Sequence, residues 1–226
     1  MSCHVLHATA RVHAPCPFSN RPSATTDARL AVMTSLDIVP DGDMPGMRVL
    51  VPRRHRDDRG FFSEVWREDA MRAAGIDTRF VQENHAFSRA AGIVRGMHFQ
   101  IGAMAQAKLI RCSRGSILDV AVDIRRGSPT FGRHLKIVLS SENWRQLYVP
   151  IGFAHGYCTL EPDSEVIYKV TAYYDAASER GLAWDDPEIG IEWPVASDRA
   201  VLVARDRNHP RLAELPDFFP FSLYPD

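Results

Sequence analysis

Ser116-Ile117-Leu118-Asp119-Val120-Ala121-Val122-Asp123-Ile124 is an apolar, partly β-branched run interrupted by two acids. Side chains alternate faces along a strand. Leu118, Val120, Val122 and Ile124 therefore share one face, and Ile117, Asp119, Ala121 and Asp123 the other. Acids on so strand-like a segment imply either a wet outer face or a polar cavity inside a barrel. Working outward, residues 108–112, 134–139, 146–149 and 165–174 read as further strands. In the last, Val166, Tyr168, Val170 and Tyr174 share a face if the strand runs unbroken. Gly, Pro, Asp and Ser clusters separate short apolar stretches from Arg48 to Pro194, the spacing of an all-β sandwich or barrel. An antiparallel barrel enclosing a ligand cavity fits best. One helix is expected over residues 64–74, stopped by Gly75. The tail from Arg205 onward, rich in Pro and Phe, is expected to form turns and short helix.

The composition agrees with a single globular domain. The chain has 226 residues, 45% hydrophobic and 24% charged, which argues against disorder, collagen or coiled coil. Lys and Arg total 27 against 28 Asp and Glu, so there is no broad basic surface and duplex nucleic acid is not the expected partner. A local basic pocket for a small anion is still allowed. No apolar run approaches the roughly 18–20 residues of a membrane helix. Cys3, Cys16, Cys112 and Cys158 form no C-x-x-C pair, so zinc ribbons and thioredoxin chemistry are not indicated, and free thiols in a reducing cytosol are expected. Residues 1–32 set Arg11, Arg21 and Arg29 against the single acid Asp27. They read as a disordered extension, whether from a start placed upstream of Met33 or as a targeting segment. The folded domain is expected over residues 33–226.

Three stretches are dense in polar groups. They are Asp57-Asp58-Arg59-Gly60-Phe61-Phe62-Ser63-Glu64, then Gln82-Glu83-Asn84-His85 with Arg95-Gly96-Met97-His98-Phe99-Gln100, then Pro150-Ile151-Gly152-Phe153-Ala154-His155-Gly156-Tyr157. A metal site needs three or more convergent His, Asp or Glu ligands. Metal-binding barrels usually show His-x-His with a Glu nearby, whereas here the stretch reads His98-Phe99-Gln100, so no metal is expected. His98 or His155 taken alone could be an ordinary core histidine. Together the parts suit metal-free acid–base chemistry. His suits proton abstraction near neutral pH, and Lys108 can hold a forming oxyanion. Tyr can return a proton from the opposite side, Arg59 and Arg95 suit a phosphate, and Tyr174 can stack on a base. Arg95 and His98 have opposite parity, and a bulge at Gly96 would reconcile them.

In order and spacing these motifs resemble the dTDP-4-dehydrorhamnose 3,5-epimerases of the cupin superfamily, over most of residues 48–215. The shared stretches include Asp58-Arg59-Gly60-Phe61-Phe62, Arg95-Gly96-Met97-His98-Phe99-Gln100 and Asp119 through Arg125. They continue with Ser128-Pro129-Thr130-Phe131-Gly132, Gly152-Phe153-Ala154-His155-Gly156, Tyr168-Lys169 with Tyr173-Tyr174, and Trp184-Asp185-Asp186-Pro187. The resemblance implies a mainly β fold, a double-stranded β-helix (jelly-roll) barrel with a few short helices. It implies a cytoplasmic homodimer that needs no cofactor or metal. The implied reaction epimerises dTDP-4-dehydro-6-deoxy-D-glucose at C3 and C5 through an enolate. By motif position, His98 is the base, Asp206 its orienting carboxylate, Tyr168 the acid and Lys108 the group that holds the enolate. Arg59, Glu64, Gln82, Glu83, Asn84, His85, Arg95, Lys108, His155 and Glu179 are the implied substrate contacts, with Tyr174 stacked on thymine. The chain departs from the pattern at Ala107, where Gly is usual, and at Glu83, where Asp is usual. A C3-only epimerase and a non-catalytic sugar-nucleotide-binding barrel are the rival readings.

Overall fold

The computed structural model describes residues 36–39 and 44–225. The expected extension over residues 1–32 lies outside them, as do Cys3 and Cys16. In chain order the described strands are β1 (Leu36–Val39), β2 (Arg48–Pro52), β3 (His55–Asp57), β4 (Gly60–Phe62), β5 (Gln82–Ser88), β6 (Val94–Gln100) and β7 (Lys108–Arg114). They continue as β8 (Ser116–Asp123), β9 (His134–Ser140), β10 (Gln146–Val149), β11 (Phe153–Thr159), β12 (Ser164–Val170) and β13 (Glu179–Gly181), with helices α1 (Glu68–Ala73) and α2 (Ala204–Arg207). One sheet has the order β1-β2-β10-β7-β12-β5, the other β13-β6-β11-β8-β9, and β3 and β4 form a separate hairpin. From β5 to β8, and again from β9 to β12, successive strands alternate between the sheets. The strand pattern predicts an antiparallel barrel, and its form is the jelly roll that the resemblance implies.

The core forms where the alternating faces meet. Ile110 and Cys112 on β7, Ile117 and Ala121 on β8, Leu147 on β10, and Phe153 and Tyr157 on β11 pack as one cluster drawn from both sheets. The opposite face of β8, through Val120 and Val122, packs with Trp184, Leu212, Leu215 and Phe219 from the C-terminal segment. β8 is thus buried on both sides, and each acid needs its own partner. Asp119 pairs with His155 at 2.9 Å. Asp123 accepts from Arg125 Nη2 at 2.9 Å, Ser128 Oγ at 2.7 Å and Thr130 Oγ1 at 2.6 Å. Burial alone would raise the Asp123 pKa, but these donors together bring it below the usual carboxylate value. The two acids therefore have different roles: Asp119 belongs to the cavity, while Asp123 anchors a loop. Asp186 likewise ties the C-terminal segment, accepting the Leu212 N–H at 2.8 Å.

Some boundaries differ from expectation. The helix begins at Glu68 rather than Glu64, because Arg67 is extended (φ −154°) and the Val65 carbonyl accepts from Gln146 Nε2 at 2.7 Å. Its end matches: Gly75 has φ +80°, and the Ile76 N–H returns to the Met71 carbonyl at 2.9 Å. β12 stops at Val170, so parity does not carry Tyr174. Tyr174 is held instead through its N–H, which donates to Gln82 Oε1 at 3.0 Å. Ala107 has no positive φ, and its N–H bonds Thr171 Oγ1 at 2.9 Å. The extra methyl there brings no backbone strain.

The bulge expected at Gly96 is present. β6 and β11 pair His98 with His155 and Arg95 with Tyr157, so two residues of β6 oppose Gly156 alone. Gly96 has φ +143°, and a Cβ there would lie 2.5 Å from Gly156 Cα. Gly96→Ala is expected to destabilise the protein by about 3 kcal/mol, combining overpacking with backbone strain. A urea midpoint unchanged from wild type would refute this.

Candidate active site

A cavity of about 730 Å³ is lined by residues of both sheets. β6 places Arg95 and His98 in its wall, β7 places Lys108, β11 places His155 and Tyr157, and β12 places Tyr168. Parity explains the last two strands. His155 and Tyr157 are two apart on β11, and Tyr168 lies between the outward positions Ile167 and Lys169. Arg205 and Asp206 enter from α2.

His98 Nε2 lies 2.8 Å from Asp206 Oδ1. The same carboxylate accepts the Gly96 N–H at 3.3 Å, and Arg205 Nε stands 3.5 Å away. Burial pushes the Asp206 pKa up, but His98, the Gly96 N–H and Arg205 outweigh it and hold the acid ionised. An ionised Asp206 fixes the His98 Nε2–H tautomer and leaves Nδ1 as a base. Lys108 is buried and donates to the His98 carbonyl at 3.0 Å. Its burial lowers its pKa to about 8, against the opposing charges of Asp119 and Glu179. Near neutral pH Lys108 therefore remains largely cationic. Burial also raises the Tyr168 pKa, with Arg95 opposing it, so the phenol stays protonated and can donate.

The cavity mouth is built around Glu179. Tyr174 Oη donates to it at 2.9 Å, and Arg205 Nη1 lies 2.6 Å from it. Gln82 Nε2 donates to Asn84 Oδ1 at 2.8 Å, and both line the wall. Of the residues singled out in the sequence, His98, Lys108, Tyr168, Asp206, Gln82, Asn84, Arg95, His155, Tyr174 and Glu179 all border this cavity.

Four others do not border it within this chain. Glu83 and His85 alternate with Gln82 and Asn84 on β5, so they point to the outer face. There Glu83 pairs with Lys169, and His85 with Glu165 at 3.0 Å. Strict strand parity would have separated these neighbours in the sequence. Arg59 is on the β3–β4 hairpin, its side chain 91% exposed and paired with Asp57. Glu64 is near Arg67, at 3.8 Å. Gln100, Gln106, Arg205 and His209 are not among the site residues that the sequence singles out. The first three border the cavity, but only Gln100 lies in a quoted motif.

His209 packs behind the dyad, its ring T-shaped to His98 at 5.6 Å. Burial, then His98, lowers its pKa. His98, Asp206 and His209 offer donor atoms within 4.8 Å of one another, a set that could hold a metal ion. The fixed Arg205 charge opposes a cation there, and Asp206 is already engaged by His98 and Gly96. The surroundings favour the hydrogen-bonded dyad.

The sequence matches the family model for dTDP-4-dehydrorhamnose 3,5-epimerase over residues 41–214. A dTDP-4-dehydrorhamnose 3,5-epimerase of Sinorhizobium fredii is 50% identical over 175 residues, covering 77% of this chain and 89% of the relative. The crystal structure of a Bacillus anthracis dTDP-4-dehydrorhamnose 3,5-epimerase with TDP and pyrophosphate bound superposes with a TM-score of 0.74. It is 43% identical, covering 78% of this chain and 99% of that one. A Legionella pneumophila dTDP-6-deoxy-D-glucose-3,5-epimerase in complex with dTDP-4-keto-L-rhamnose gives a TM-score of 0.77 at 36% identity, covering 82% and 97%.

Proposed function

The chain belongs to the dTDP-4-dehydrorhamnose 3,5-epimerase family, and from that premise we propose how its cavity inverts C3 and C5 of the sugar. The substrate is dTDP-4-dehydro-6-deoxy-D-glucose, and the product is dTDP-4-dehydro-L-rhamnose. The observation that carries the reading is the 2.8 Å His98–Asp206 pair in the same cavity as Lys108 and Tyr168.

The C3 and C5 protons are both α to the C4 ketone. His98 Nδ1 removes one as a general base, and Asp206 stabilises the imidazolium that results. The electron pair left on carbon moves onto the C4 oxygen, where the Lys108 ammonium holds the negative charge. Tyr168 gives a proton to the opposite face of that carbon, which inverts it and restores the ketone. The His98 proton passes to solvent and Tyr168 is reprotonated, so one base–acid pair serves both carbons in turn. No redox equivalent is required. Tyr174 stacks on thymine, Arg95 binds the diphosphate, and His155, held by Asp119, hydrogen-bonds the sugar.

Arg59 and Glu64 also belong to this proposal, in a homodimer. Phe61 and Phe62 on the same hairpin are 48% and 67% exposed, an unusual surface for an isolated chain. A second copy would cover them and bring Arg59 to a neighbouring cavity. Cytoplasmic residence fits the buried, unpaired Cys112 and Cys158. No helix among the described residues is long and apolar enough to cross a membrane.

Proton NMR of dTDP-4-dehydro-6-deoxyglucose with the protein in D₂O tests the reaction. Deuterium at both C3 and C5 is expected, and deuterium at C3 alone would point to a C3-only epimerase. Tyr168→Phe is expected to keep proton loss but cut inversion at C5 about a hundredfold. A mutant that makes product at the normal rate would remove Tyr168 from the acid role.

A further inference from the structure

The β12 ladder ends at Val170, yet the loop beyond it carries Tyr174, the residue assigned to stack on thymine. Tyr174 is 55% exposed, so packing alone does not fix its ring. Apart from the Oη bond to Glu179, its place depends on how its backbone is held.

Three glutamine side chains hold that backbone. Gln106 Nε2 donates to the Ala172 carbonyl at 2.7 Å, and Gln82 Oε1 accepts the Tyr174 N–H at 3.0 Å. Gln100 donates and accepts at once. Its Nε2 donates to the Tyr173 carbonyl at 3.1 Å, and its Oε1 accepts the Asp175 N–H at 2.8 Å. A side-chain amide can do this because it carries a donor and an acceptor in one plane, as a peptide group does. Gln100 therefore stands in for a neighbouring strand and grips the chain on both sides of Tyr174.

Gln100 is itself fixed. It is 3% exposed, and its Nε2 also donates to the Met104 carbonyl at 2.8 Å. Turning the amide over would set Oε1 against two carbonyls, so the network allows one orientation. On β6 it lies two residues beyond His98, and the two side chains share a face of the strand. Across the sheet it pairs with Glu179 of β13, the acceptor for Tyr174 Oη.

We propose that Gln100 is a positioning residue that holds the Tyr173–Asp175 backbone, so that the Tyr174 ring is already placed to stack on the base of a bound nucleotide sugar. The inference rests on the reading that Tyr174 stacks on thymine.

Gln100→Met keeps the volume and removes all of these bonds. The variant is expected to raise the Kd for dTDP about tenfold, because an unbraced loop must be ordered on binding. KM for the sugar nucleotide should rise with it, while kcat stays within about threefold of wild type. A double-mutant cycle with Tyr174→Ala separates this from a general structural role. Tyr174→Ala alone should weaken dTDP about tenfold or more, and adding Gln100→Met should weaken it little further, since the loop then has no ring to place. Gln100→Asn keeps an amide too short to reach both sides, and it takes the same place in the cycle if Gln100→Met does not fold. An unchanged Kd in the folded Gln100 variant, or two losses that simply add, would overturn the Gln100 role alone. If Tyr174→Ala binds dTDP as tightly as wild type, the stacking assignment is wrong and this inference falls with it.

Discussion

His98→Ala is expected to stop deuterium entry at both C3 and C5, with kcat falling about a thousandfold or more, the usual contribution of a general base. The same His98 Nδ1 serves both carbons, so the two exchanges should be lost together. Affinity for dTDP should stay within about threefold of wild type, because Tyr174 and the arginines at the mouth are untouched. The mutant should also be less stable by about 1–3 kcal/mol, since Asp206 is buried and loses its 2.8 Å partner. His98→Asn offers a control that can still donate to Asp206 and should recover part of that stability without recovering exchange. Turnover within about tenfold of wild type in either variant would place the base elsewhere.

Lys108→Met is expected to lower kcat/KM about 10²–10³-fold while making the protein more stable at pH 7. The two effects share one origin. Lys108 is buried, and its pKa falls to about 8 from 10.5 because burial disfavours the ammonium. Below about pH 8 the folded state carries that charge, at a cost of about 3 kcal/mol relative to the unfolded chain. Between about pH 8 and 10.5 the folded state has released the proton while the unfolded state still holds it. Wild-type stability should therefore rise with pH across that window as far as this group is concerned, and the variant should lack the rise. Met keeps most of the volume but leaves the His98 carbonyl without a donor, so a net gain of about 2 kcal/mol is expected. Urea midpoints at pH 7 and pH 10 measure it. The wild-type rate should decline above about pH 8 as the ammonium is lost, and Lys108→Arg should move that decline upward. A Met variant that is less stable at pH 7, or one that reacts normally, would contradict the account.

Much of this molecule was legible from local pattern. The alternation in residues 116–124 identified β8, and 146–149 was read with the bounds β10 has. The Gly96 bulge was legible too, because Arg95 and His98 could share a cavity only if the pleat broke between them. Other features misled for physical reasons. β12 was read four residues too long, since Tyr174 continues the parity but is held by Gln82 and not by a ladder. Glu83 and His85 were grouped with Gln82 and Asn84 by motif, although a strand sends neighbours to opposite faces.

The sequence by itself determined the strand pattern, the turn positions and the chemical types available for acid–base work. These depend on dihedral preference and on a two-residue period, both set within a few positions of the chain. Only the tertiary structure decided which of those groups meet. His98 and Asp206 are 108 positions apart, and their contact exists because α2 packs on β6. The two acids of β8 look alike in the sequence, yet Asp119 supports a cavity histidine and Asp123 anchors a loop. The burial of Tyr157 and the lowered pKa of Lys108 were equally invisible. Both arise from what surrounds a side chain once water has been excluded, and a linear sequence does not encode that environment position by position.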